Sequence, residues 1–194
     1  MTAKAGSQMK LFQLTLTVLT LLTADAAVAE VRVSKIFSSD MVLQRDRSVA
    51  VWGTADGDEE VTVAIAGQSH TTTARGGRWK IALESLKAGG PHEMKITGTN
   101  TIVFSNILAG DVWLCGGQSN MDFDMSAYMR WPGTIGEAYT SIVANSQAYQ
   151  NLRVVLMKKA AALPDESAVV PVEDDDVFRG TWQTCSTEVT PRMS

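Results

Sequence analysis

Five short runs in which apolar and polar residues alternate with a period of two, separated by glycine-bearing turns, dominate residues 31–97. They are Val31-Arg-Val-Ser-Lys-Ile-Phe37, Val49-Ala-Val-Trp52, Glu60-Val-Thr-Val-Ala-Ile65, Arg78-Trp-Lys-Ile-Ala-Leu83 and Glu93-Met-Lys-Ile-Thr97. Alternation sends successive side chains to opposite faces of a strand, so one face can be buried while the other stays wet. The segments Gly53-Thr-Ala-Asp-Gly57, Ala66-Gly-Gln68, Arg75-Gly-Gly77 and Ala88-Gly-Gly-Pro91 supply the turns. Strands at this spacing are expected to form a small antiparallel β-sandwich over residues 30–105. Ala66-Gly67-Gln68 reads as a tight hairpin that returns residues 69–74 against residues 61–65. Trp52 and Trp79 lie inside these runs, where core packing is a better use of an indole than stacking on a sugar.

From residue 106 the pattern changes. The apolar run from Ile107 to Cys115 stops at Gly116-Gly117, and Ser119 follows. This reads as a buried strand whose end presents Ser119 at the mouth of a sheet, where open α/β sheets keep their chemistry. A serine alone is a poor nucleophile and needs a base for its proton and donors for an oxyanion. The same Gly-Gln-Ser-Asn is also the turn chemistry of many surface loops. It is not the nucleophile elbow Gly-x-Ser-x-Gly, because Met121 occupies the second glycine position. Downstream, residues 136–147 place Ala138, Ile142, Val143 and Ser146 on one helix face, and residues 152–157 read as a strand. Strand, helix and strand in that order predict a parallel βαβ unit, the opening of an α/β domain over residues 106–194. Asp122, Asp124, Tyr128, Arg130 and Trp131 follow the serine closely enough to line a pocket, or to form a solvated loop with Trp131 packed beneath it.

Residues 1–29 are of another kind. Lys4 and Lys10 precede an apolar run from Leu11 to Leu22, and Ala27-Val-Ala29 offers a small-x-small cleavage pattern, so a secretory signal peptide is expected. An uncleaved anchor is the alternative; the run is short for a span. Cleavage would leave 15 basic against 20 acidic residues, a balance that argues against nucleic acid as a partner. The expected destination is secreted or periplasmic, with no membrane contact after cleavage. That oxidising setting makes Cys115 and Cys185 a disulfide candidate, against two buried free thiols. Two cysteines and two histidines scattered along the chain predict no metal site, and nothing predicts a cofactor. The acidic stretch over residues 165–176 lacks the spacing of a calcium loop and reads as a solvated connection.

Gly110-Asp-Val-Trp-Leu-Cys115 with Gly117-Gln-Ser-Asn-Met121 resembles the first block of the SGNH/GDSL hydrolases, in the variant carried by sialate O-acetylesterases. Phe37-Ser-Ser-Asp-Met-Val-Leu-Gln-Arg45, Val49-Ala-Val-Trp-Gly53, Gly77-Arg-Trp79 and Leu86-Lys-Ala-Gly-Gly-Pro91 resemble the β-domain that precedes it in bacterial members. Gly180-Thr-Trp-Gln-Thr-Cys185 resembles a later phrase, after which Ser186 or Thr187 caps a helix. The resemblance implies a three-layer SGNH fold after the sandwich, of which this chain holds the first part. It also implies Ser119 as nucleophile, the Ser119 backbone N–H as an oxyanion donor, and Gly117 in the same loop. The implied activity is removal of O-acetyl groups from sialic acid or a related sugar through a serine acyl-enzyme. The family pattern asks further for an oxyanion glycine, a polar donor and an Asp-x-x-His pair. His70 and His92, the two histidines, lie in the β-region instead. A truncated and weak or inactive copy is therefore expected, and the alternative is a noncatalytic secreted β-domain that binds a glycan or a partner.

Overall fold

The structure, a computed structural model, describes residues 30–117, 123–157 and 178–190. The expected signal peptide, the acidic stretch and Ser119 itself lie outside the described residues. Eight strands come first: β1 (Arg32–Val33), β2 (Val42–Gln44), β3 (Val49–Thr54), β4 (Glu60–Ile65), β5 (Gln68–Thr73), β6 (Arg78–Leu83), β7 (Gly89–Thr97) and β8 (Thr101–Gly110). They make a three-stranded sheet in the order β1-β3-β6 and a five-stranded sheet in the order β2-β8-β7-β4-β5. The larger sheet is mixed, because β2 runs parallel to β8, pairing Val42 with Leu108 and Gln44 with Gly110. This departs from a purely antiparallel arrangement.

The alternation works as the pattern requires. Val61, Val63 and Ile65 of β4 and Trp79, Ile81 and Leu83 of β6 are buried, while Arg78 and Lys80 between them are exposed. Met94, Ile96, Ile107 and Ala109 from β7 and β8 join the same core, so the two sheets share one hydrophobic cluster. Trp79 is fully committed to it: its Nε1–H donates to the Arg32 carbonyl at 3.2 Å and the Thr54 carbonyl at 3.1 Å. Trp52 packs edge-on against Phe37, with ring centroids 4.8 Å apart. In the β4–β5 hairpin, Ala66 and Gly67 take φ of 49° and 82°, the left-handed pair that a two-residue turn needs. Asn100 ties the residue before β1 to the turn between β7 and β8, accepting from the Val31 N–H at 2.8 Å and donating to the Val31 carbonyl at 3.1 Å.

Beyond β8 come two helices, α1 (Met125–Met129) and α2 (Thr134–Ala144), a 3₁₀ turn over Ser146–Ala148, and two strands, β9 (Arg153–Met157) and β10 (Phe178–Thr184). Three expectations change here. The apolar run does not continue as a buried strand to Cys115: β8 begins at Thr101, crosses the expected boundary at 105/106 and ends at Gly110. Trp113 and Leu114 beyond it are 84% and 86% exposed, because no described element covers them. On α2, Val143 is buried and so is the following Ser146, but Ala138 and Ile142 face outward. Finally, β9 pairs antiparallel with β10 rather than in a parallel βαβ unit.

The β9–β10 pair is fastened to the β-domain by Trp182. Its indole Nε1–H donates to the Ile36 carbonyl at 2.7 Å and its backbone N–H to the Ser38 hydroxyl at 3.1 Å. Ser186 receives the Val189 N–H on its hydroxyl at 3.1 Å, as a cap would. Among the described residues, no helix is long and apolar enough to cross a membrane.

Candidate active site

Ser119 lies outside the described residues, but the segments on either side of it in sequence are described. On the entry side, β2 grips the chain as it leaves β8. The Arg45 N–H donates to the Gly110 carbonyl at 2.9 Å, and the Val112 N–H donates to Gln44 Oε1 at 2.9 Å. The Arg45 guanidinium closes the grip with a two-bond fork onto Asp111, 3.0 Å from Nε and 3.3 Å from Nη2. Bonded and electrostatic attraction from Asp111 hold Arg45 even more firmly protonated than usual. Sequence reasoning missed this fork; its only signal was a polar pair, Gln44-Arg45, closing one apolar run and Asp111 interrupting another.

On the exit side, Asp124 caps α1. Its carboxylate accepts from the Ala127 N–H at 3.0 Å and from the Ser126 hydroxyl. The Ser126 bond leads the effects that hold the Asp124 carboxyl below the usual carboxylate range, against a smaller opposing push from burial. Aromatic rings then pack the helices together: Tyr128 stacks on Tyr139 at 4.7 Å and 14°, and touches Phe123 and Trp131 at 5.9 and 5.6 Å. Trp131 is thus braced but not submerged, with 49% of its surface open. The residues between these anchors, 113–117, are exposed coil. Gly116 has an ordinary φ and open space where a side chain would stand, so nothing described there demands a glycine. Gly117 is exposed beside it.

The remaining candidates stand on several elements. His70 lies on the edge strand β5, its Nε2 3.1 Å from Gln68 Oε1. His92 sits on β7 opposite Ile107 of β8. Cys115 and Cys185 are free thiols rather than a disulfide: Cys115 is exposed in the loop, and Cys185 is buried with its sulfur 3.0 Å from Thr190 Oγ1. No group of three His, Cys, Asp or Glu among the described residues could hold a metal ion.

Residues 118–122 thus follow a segment tied to β2 and precede the capped helix α1. No family model matches the chain. Sialate O-acetylesterase from Homo sapiens is 29% identical over 155 residues, covering 73% of this chain and 28% of the human protein. The Rattus norvegicus sialate O-acetylesterase is 31% identical over 138 residues, 63% of this chain and 24% of the rat protein. The chain is sialate O-acetylesterase-like. Its backbone agrees: a crystal structure of a carbohydrate acetylesterase from Xanthomonas citri superposes with a TM-score of 0.68 at 25% identity, over 84% of this chain and 34% of that one. The chain spans about a quarter of the length of the curated relatives it matches.

Proposed function

We propose that this chain carries the nucleophile of a carbohydrate esterase that removes O-acetyl groups from sialic acid or a related acetylated sugar. The observation that carries the reading is the likeness to the human and rat sialate O-acetylesterases, which agrees with the Gly117-Gln-Ser-Asn120 sequence between the segments anchored at Val112 and Asp124. In this reading the two sheets are the sandwich, and the residues after β8 are the first part of a three-layer SGNH hydrolase domain. Ser119 Oγ attacks the acetyl carbonyl carbon as its proton passes to a base. The Ser119 N–H, with Gly117 alongside, holds the oxyanion; collapse expels the sugar alkoxide, which takes up that proton. Water then attacks the acetyl-serine by the same route and releases acetate.

The base is the weak point. His70 and His92 lie on β5 and β7, and α1, α2, β9 and β10 carry no histidine. Turnover by this chain alone is therefore low, on the order of 10⁴-fold below a complete triad. The setting is secreted or periplasmic, in keeping with the apolar segment and small-x-small pattern of residues 1–29. The competing reading, a noncatalytic β-domain that stacks sugars on its own indoles, loses support because Trp79 is buried and Trp52 packs against the core. Hydrolysis of p-nitrophenyl acetate by the chain and by its Ser119→Ala variant tests the proposal, with circular dichroism confirming that both fold. A slow activity that disappears with the hydroxyl is expected; hydrolysis that survives the substitution would sink it.

A further inference from the structure

The helical hairpin after the loop holds a depression that the esterase reading leaves unused. It is open, about 430 Å³ in volume, and is bordered by Trp131, Gly133, Gly136, Glu137, Thr140 and Ser141. That size falls within the ~300–1,000 Å³ typical of small-molecule sites. Its wall is built in a particular way. Gly136 is packed so closely that a Cβ would meet the Trp131 carbonyl oxygen at 2.1 Å, which pins the start of α2 against the tryptophan backbone. Tyr128, itself stacked on Tyr139, backs the indole. An exposed aromatic ring that is already immobilised offers a flat apolar face with little conformational entropy left to lose.

The opposite chemistry stands next to it. Glu137, Thr140 and Ser141 fall at i, i+3 and i+4 of α2, on one helix face. The Glu137 carboxylate has no hydrogen-bond or ion-pair partner among the described residues, and no lysine, arginine or histidine borders the depression. A C–H-rich face can stack on Trp131 while hydroxyls donate to Glu137 and exchange bonds with Thr140 and Ser141. A carboxylated sugar would meet the Glu137 charge with no cation to offset it.

We propose that this groove is a subsite for a neutral pyranose, stacked on Trp131 and hydrogen-bonded by Glu137, Thr140 and Ser141. Its place in catalysis, holding the non-acidic part of an acetylated glycan during deacetylation, rests on the esterase reading; the binding itself does not. The test titrates the full chain carrying Ser119→Ala with cellotetraose, xylotetraose and N-acetylneuraminic acid, followed by tryptophan fluorescence and calorimetry. At least one neutral tetrasaccharide is expected to bind saturably, more tightly than N-acetylneuraminic acid. Trp131→Ala should weaken that binding roughly tenfold or more, the loss of one good stacking contact. Ala144→Phe, which fills the groove from an exposed helix position and removes no contact, should weaken it equally while circular dichroism stays unchanged. No saturable binding of either tetrasaccharide, or binding untouched in both variants, overturns the subsite. Groove binding without Ser119-dependent hydrolysis in the unsubstituted chain overturns the esterase reading alone, and the converse result overturns the subsite alone.

Discussion

Gly53 shows how tightly single residues set this architecture. A Cβ there would meet the Arg32 carbonyl oxygen at 1.9 Å, so the β1–β3 pairing exists only because that atom is missing. Gly53→Ala should cost roughly 3 kcal/mol, as expected when backbone must move in a packed sheet, and lower the urea midpoint accordingly. Asp124 gives a residue-scale prediction in pH. The Ser126 hydroxyl first, then the Ala127 N–H and Arg130, hold its folded pKa low against the opposing effect of burial. Its contribution to the α1 cap is thus complete above the unfolded-state carboxylate pKa, about 3.9, and is lost as pH falls through the lower folded value. Amide exchange at Ala127 should accelerate across that acid window, whereas Asp124→Asn, a good neutral cap, should remove that dependence. Identical acid profiles for the two proteins would rule the assignment out.

At the scale of elements, Trp182 joins the two halves of the described structure. Trp182→Phe keeps the packing but deletes the indole donor to the Ile36 carbonyl. A loss of about 1 kcal/mol, or roughly 2–4 °C in Tm, is expected in thermal unfolding followed by circular dichroism. The same scale shows where sequence and structure part. The β4 and β6 boundaries were legible to the residue, because a half-buried strand must alternate and nothing else does. The end of β8 was not: hydrophobicity runs on through Val112, Trp113 and Leu114, while the ladder that defines a strand stops where β7 stops supporting it. β2 was hidden for the related reason that three residues carry no period, and its parallel pairing with β8 is a long-range fact. The antiparallel pairing of β9 with β10 was equally illegible, since strand order states neither partner nor direction.

Across the whole molecule, the candidate site divides the same way. The serine loop announced itself through local chemistry, Gly-Gly-Gln-Ser-Asn after an apolar run, and its family likeness is supported by the related sialate O-acetylesterases. The Arg45–Asp111 fork and the Tyr128–Tyr139 stack were out of reach, because each joins side chains from different elements whose packing no local pattern states. In the proposed reading neither His70 on β5 nor His92 on β7 is the base of Ser119, and that has a chemical consequence. Deacylation needs the base as acylation does, so an acetyl group that reaches Ser119 should leave slowly and outlast a short exposure. The most direct test of the account is therefore peptide mapping by mass spectrometry after a short exposure of the folded chain to p-nitrophenyl acetate. The account predicts an acetyl group on the peptide containing Ser119, formed faster than on any lysine and absent in Ser119→Ala. Acetylation confined to lysines, or an unchanged label in the Ser119→Ala variant, would contradict it.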